Sequence, residues 1–130
     1  MNTPFFSIIT PSYNPGFRLQ KTIGSILGQT FWDYEVIVKD AGSSDGSLDG
    51  LPADGRIRLI RQKDSGIYDG MNQAVAAARG EYLYFLNCGD VLFSPDVLEK
   101  MIIAGLDVDQ NSRHLQRLGA GGGEQGFGAA

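Results

Sequence analysis

Between Phe5 and about Ile103, short runs rich in β-branched and aromatic residues alternate with segments whose apolar residues recur at helical spacing. That alternation leaves very few architectures open. Phe5–Thr10 reads as a first strand ending at Pro11, and Tyr34–Lys39 as a second. Ile57–Arg61, with one wet face, and Glu81–Leu86 read as a third and fourth. Between them, Leu19, Ile23, Ile26 and Leu27 place a helix over Phe17–Gly28. Ile67, Met71, Ala74, Val75 and Ala78 form one stripe over Ile67–Arg79, stopped by Gly80. Such spacing is the mark of a helix with one buried face, and a glycine just past the stripe is a common stop. Gly42–Gly46 reads as a turn, Ser47–Leu51 as one helical turn, and Pro95–Ile103 as a last helix with proline in its first turn. Strands alternating with helices build βαβ units, so the fold class is α/β, a mostly parallel Rossmann-like sheet flanked by helices.

The chain has 130 residues, about one domain. Fifteen acidic against eleven basic residues give a net charge of −4, and there is no run of Lys or Arg. Cations that neutralise phosphates are the footprint of nucleic-acid binding, so no nucleic-acid partner is expected. The single cysteine, Cys88, allows neither an intramolecular disulfide nor a multi-cysteine zinc site and suits a reducing cytoplasm. No apolar stretch approaches the length of a membrane span, and the N-terminus lacks the basic and cleavage-site features of a secretory leader.

After Ile103 the composition changes abruptly. Six of the ten residues from Gly119 to Gly128 are glycine, and Phe127 is the one aromatic residue beyond Leu106. A segment this poor in apolar side chains cannot offset its ordering entropy. Residues 1–105 are therefore expected to form the domain and 106–130 a flexible tail, with a marginal helix over Asp107–Leu118. The break reads as a longer domain truncated, or continued in another reading frame.

In an open parallel sheet, ligands bind at the carboxyl ends of the strands, near a switch in strand order. The four strand exits carry Pro11-Ser12-Tyr13-Asn14, Asp40–Gly46, Gln62-Lys63-Asp64-Ser65-Gly66 and Asn87-Cys88-Gly89-Asp90. All are short, polar or acidic, and punctuated by glycine or proline, so that edge should be a polar cleft. Neither G-x-G-x-x-G nor G-x-x-x-x-G-K-[ST] is present, which argues against dinucleotide enzymes and P-loop NTPases. A nucleotide held through carboxylates and a hard cation remains, and Asp90 is placed to ligate Mg²⁺ or Mn²⁺.

Four linked runs, Ser7–Asn14, Asp40–Gly46, Asp64–Asn72 and Phe85–Asp90, resemble family 2 glycosyltransferases in order and spacing across residues 5 to about 103. The Gly-Ile-Tyr-Asp-x-Met-Asn and Leu-Asn-x-Gly-Asp forms are similar to those of bacterial enzymes that build exopolysaccharides such as colanic acid. The resemblance implies a GT-A fold and a glycosyltransferase using a nucleotide-sugar donor, a UDP-sugar by preference, with a polysaccharide or lipid-linked acceptor. It places the protein in the cytoplasm, with peripheral contact at the inner membrane face where the acceptor is lipid-linked.

By position, the resemblance implies that Pro11, Tyr13 and Asn14 line the pocket for the base. Asp40 would bond base or ribose, with Asp45 supporting its loop. Lys63 and Asp64 would lie near the base edge, Gly66 would let the backbone approach, and Asn72 would brace the donor loop. Asn87 and Asp90 occupy the place of the family's acidic D-x-D-type motif, with Asp90 the metal ligand. Asn87 and Gly89 stand where acids are common in the family, which leaves one carboxylate for the metal. The family's catalytic base lies beyond the metal motif, where this chain offers only Asp107, Asp109 and Glu124. Two rival readings follow: a non-catalytic donor-binding module, and a nucleotidyltransferase. The latter lacks its Gly-rich, basic first loop.

Plainer roles compete at several positions. Asp90 could cap a helix starting near Phe93, and Asp45-Gly46 could be a simple turn. Tyr68 and Met71 would pack, Cys88 would fill space beside the site, and Arg56, Arg58 and Arg61 would form a wet face. Trp32 and Tyr34 would cover the sheet, or an exposed Trp32 would stack on a sugar.

Overall fold

A computed structural model describes residues 3–104 and 115–117. The elements are β1 (Phe6–Ser12), α1 (Arg18–Leu27), β2 (Tyr34–Asp40), a 3₁₀ turn (Ser47–Gly50), β3 (Ile57–Arg61), α2 (Ile67–Ala77), β4 (Tyr82–Phe85), α3 (Val97–Ile103) and β5 (Leu115–Arg117). The sheet order is β3-β2-β1-β4-β5. β1 to β4 are mutually parallel where they pair, and β5 runs antiparallel to β4. The chain steps outward from β1 to β3, then returns to place β4 on the other side of β1. The crevice that this reversal opens lies at the carboxyl ends of β1 and β4.

Alternation along the strands sends successive side chains to opposite faces. Phe6, Ile8, Val36, Val38 and Tyr84 pack with Leu19, Ile23 and Ile26 of α1 and with Val97 and Leu98 of α3. Ile9, Ile37, Leu83 and Phe85 meet Met71 and Ala74 of α2 on the other face. Both faces are thus covered, and every residue of β2 is buried, including Glu35, Lys39 and Asp40.

Several sequence expectations are corrected. β1 continues through Pro11 to Ser12, because its pairing with β4 stops at Ile9 and Pro11 lies where that side of the strand is open. Gly80 is no helix cap: α2 ends at Ala77, and a Cβ at Gly80 would stand 2.6 Å from the Ser7 nitrogen. Close approach to β1 is what demands glycine there. Leu115–Arg117 is a strand that pairs with the open edge of β4, not the end of a helix. The remainder of the helix expected over Asp107–Leu118, and the Gly-rich stretch, lie outside the described residues.

The arginines of β3 are not simply its wet face. Arg58 donates to buried Glu35 at 2.6 Å and to the Ala77 carbonyl at 2.9 Å. Arg61 lies 3.9 Å from Asp40 and donates to the Ser43 carbonyl. Arg56 covers the ring of Tyr34, whose hydroxyl donates to the Ile26 carbonyl. Leu59 and Arg61 are the exposed residues of β3. Met71 packs as expected, whereas Tyr68 is 57% exposed.

Candidate nucleotide cleft

The loops leaving β1 and β2 are joined to each other before they meet any ligand. The Asn14 N–H donates to Ser43 Oγ (2.7 Å), and Asn14 Oδ1 accepts from the Ser44 N–H (2.8 Å). Asn14 holds a left-handed φ of 44°, a conformation asparagine tolerates better than most residues. The Gly16 N–H donates to Asp45 Oδ2, while Asp45 Oδ1 accepts from the Ser47 N–H at the start of the 3₁₀ turn. Asp45 therefore acts both as the turn residue and as the loop support that the sequence allowed.

Asp40 organises this pair of loops from below. Its carboxylate is fully buried and accepts from the Gly42 N–H (2.9 Å), the Ser43 N–H (2.7 Å) and the Ser43 hydroxyl. Burial alone would raise its pKa; the bonds from Ser43 and Gly42 outweigh that and hold the carboxyl below its ordinary value. Its oxygens bond the loop that follows β2, and Asp40 is not among the residues that line the cleft.

The loop after β4 is held by polar residues of α1 and of the segment just after it. The Thr22 hydroxyl donates to the Asp90 carbonyl and accepts from the Gly89 N–H, both at 2.8 Å. Ser25 Oγ accepts from the Leu92 N–H, and Gln29 bonds the Ser94 carbonyl and the Leu98 N–H. No helix begins near Phe93, so Asp90 caps none. Its N–H closes a turn on the Asn87 carbonyl, and the residue is exposed. Arg18, in the first turn of α1, runs along this turn: a Cβ on Gly89 would lie 3.4 Å from Arg18 Cδ. Neither Thr22 nor Arg18 was singled out in the sequence. A threonine among the apolar positions of α1 was the available signal.

Between these loops lies a cleft of about 710 Å³ lined by Pro11, Ser12, Tyr13, Lys39, Ala41, Lys63, Asp64, Gly66, Ile67, Gly70, Asn87 and Cys88. Of the sequence candidates, Pro11, Tyr13, Lys63, Asp64, Gly66 and Asn87 converge there; Asn14, Asp40 and Asp45 are not among the lining residues. Asn72 is exposed on α2 and Asp90 on the rim loop, neither lining the cleft. Tyr13 (63% exposed) and Ile67 (52%) give the rim apolar surface on which a planar ring could lie. Burial pushes the Cys88 thiol up, which keeps it protonated and suits a space-filling role. Trp32 precedes β2 and so lies about 20 Å from this edge by strand rise, out of reach of a sugar here.

Among the described residues no cluster of three or more His, Cys, Asp or Glu side chains could enclose a metal ion. Mg²⁺ and Mn²⁺ do not require such a cage. They commonly keep several waters and bind through one or two carboxylates plus substrate phosphates, and the exposed carboxylate of Asp90 fits that requirement. Asp107, Asp109, His114 and Glu124 lie outside the described residues. No helix among those described is long and apolar enough to cross a membrane.

A family model described as Glycosyl transferase family 2 matches residues 7–104. A PGL/p-HBAD biosynthesis glycosyltransferase of Mycobacterium tuberculosis is 39% identical over 106 residues, covering 78% of this chain and 41% of that protein. Among solved structures, mannosyltransferase PcManGT from Pyrobaculum calidifontis, in complex with GDP-Man and Mn²⁺, superposes with a TM-score of 0.70 at 21% identity. The match covers 78% of this chain and 32% of that one. S. aureus TarS in complex with UDP-GlcNAc gives 0.68 at 24% identity, covering 76% and 30%. The chain thus spans about two fifths of its curated relative's length, and the structural likeness establishes the GT-A arrangement of the sheet.

Proposed function

The chain belongs to glycosyl transferase family 2, and on that premise we propose that its cleft binds a nucleotide-sugar for transfer to a polysaccharide or lipid-linked acceptor. The observation that carries this reading is convergence. Pro11 and Tyr13 from the β1 exit, Lys63, Asp64 and Gly66 from the β3 exit, and Asn87 from the β4 exit meet in one cleft at the strand-order switch. The complexes of PcManGT with GDP-Man and of TarS with UDP-GlcNAc, proteins of the same fold, support it.

In this reading the base enters between Tyr13 and the Lys63–Gly66 segment, and the diphosphate lies toward Asn87 and Asp90. Asp90 would hold Mg²⁺ or Mn²⁺, which supplies positive charge to neutralise the leaving diphosphate. Asn14, Asp40 and Asp45 keep the two facing loops in register, and Asn72 supports the donor loop from α2. Arg18 adds a cation beside the Gly89 turn. The domain over residues 1–105 acts on the cytoplasmic side, at the membrane face if the acceptor is lipid-linked.

A second reading, donor binding without transfer, rests on a specific observation. The carboxylates of Asp40, Asp45, Asp64 and Asp69 already accept hydrogen bonds from the surrounding loops. Deprotonating an acceptor hydroxyl needs a carboxylate within hydrogen-bond reach that is not so engaged.

Calorimetric titration of UDP, with and without Mn²⁺, on the wild type and on Asp90→Ala tests the site. Metal-enhanced binding that Asp90→Ala abolishes is expected. Absence of binding by UDP and GDP under both conditions would refute the donor-site reading. Measuring release of UDP from a UDP-sugar then separates transfer from binding alone.

A further inference from the structure

Lys39 is out of place in a strand that otherwise reads Val-Ile-Val. Its side chain has no exposed surface, yet it stands in the cleft wall on the α2 side of the sheet. Nζ donates to Asp64 Oδ2 at 2.9 Å and to the Gln62 carbonyl, and reaches the Asp40 carbonyl at 3.4 Å. Three N–H groups thus meet three acceptors. The other carboxylate oxygen, Asp64 Oδ1, accepts the Gly66 N–H at 3.1 Å. α2 closes over the pair: a Cβ on Gly70 would stand 2.7 Å from Asp64 Oδ2 and 3.8 Å from Lys39 Cγ.

Stability does not explain this arrangement, because a buried ion pair commonly does no better than apolar residues of the same volume. Orientation does. With one oxygen held by Lys39 and the other by Gly66, the Asp64 carboxylate cannot rotate, and it lines the cleft together with Tyr13 and Gly66. A carboxylate only accepts hydrogen bonds. It can take the ring N–H of uracil or guanine, whereas the same ring position of cytosine or adenine is itself an acceptor.

We infer that Lys39 is a positioning residue that fixes Asp64 as a hydrogen-bond acceptor for the base, so that the cleft selects bases carrying a ring N–H. This rests on the donor-site reading above. UDP and CDP share ring size and diphosphate and differ at the ring N–H and the adjoining exocyclic group, so their affinity ratio isolates the contact.

Calorimetric titration of both nucleotides is made on the wild type, Lys39→Met, Asp64→Asn, the double variant and Gly70→Ala, with a thermal melt of each. In the wild type UDP is expected to bind at least about tenfold tighter than CDP, since cytosine sets its own acceptor nitrogen against the Asp64 carboxylate. Lys39→Met should reduce the ratio to about threefold or less, and should change it no further once Asp64 is Asn, because it acts through that residue. Gly70→Ala, which suits a helix but pushes on Asp64, should reduce the ratio with Lys39 intact; it decides the matter if Lys39→Met fails to fold. Equal loss of UDP and CDP in Lys39→Met and Gly70→Ala, or additive effects in the double variant, would overturn the inference while leaving the donor site standing. So would a wild type that binds both nucleotides alike. A wild type that binds neither would overturn both.

Discussion

Asp40→Asn separates two roles that the sequence could not tell apart: ligand contact and loop organiser. The carboxylate takes three donors, the Gly42 and Ser43 N–H groups and the Ser43 hydroxyl, at a fully buried position. Hydrogen bonds to a charged group are worth about 1.5–3 kcal/mol each, roughly twice a neutral one. Asparagine is nearly isosteric and can keep the two N–H groups on its single oxygen while turning its amide toward Ser43 Oγ. It loses the charge assistance on all three, so the expected loss is about 2 kcal/mol. For a domain of this size that lowers the melting temperature by about 6–12 °C. Urea unfolding of the nucleotide-free protein, followed by circular dichroism, should show the midpoint falling with the slope unchanged. Because the folded-state pKa is depressed, Asp40 contributes stability that is fully present above its ordinary value and is lost as pH falls through the depressed one. The wild-type advantage over Asp40→Asn should thus be flat near neutrality and close in acid. An unchanged midpoint together with lost nucleotide affinity would refute the organiser role and restore direct ligand contact.

Three further substitutions probe the frame. Gly80→Ala forces a Cβ within 2.6 Å of Ser7 N and Oγ on the central strand, and should cost about 2–3 kcal/mol in the same unfolding assay; Gly55→Ala, with nothing within 4 Å, should stay within about 0.5 kcal/mol. Glu35 accepts from the Ser7 hydroxyl, the Arg79 N–H and Arg58, and these bonds outweigh burial to depress its pKa. Glu35→Gln should therefore cost about 2 kcal/mol near neutrality and nothing once the pH lies below the depressed value, read from melts between pH 7 and pH 3.

The architecture was legible because period is written in residue order. Strands two and four are apolar runs flanked by polar residues, and Leu19, Ile23 and Ile26 or Met71 and Ala74 mark one helical face each. The polar exits were legible too, since Pro11, Tyr13, Lys63, Asp64, Gly66 and Asn87 stand directly after their strands, and topology alone brings strand ends to one edge. Roles within the site were less so. Asp40, Asn14 and Asp45 look like ligand contacts in sequence, but Asp40 bonds the loop that follows it, and Asn14 and Asp45 bond the facing loop across about thirty residues, a pairing that no local pattern encodes.

What residue order determined by itself is the parallel strands and helices between Phe5 and Ile103 and the family of the chain, because short-range periodicity and motif spacing are properties of neighbours. What only the tertiary structure decided is which polar groups are free to meet a ligand. Lys39 and Thr22 carry no local sign of their partners; Asp64 and Asp90 reach them only when separate segments pack. A buried charge must find its acceptor wherever the fold delivers one.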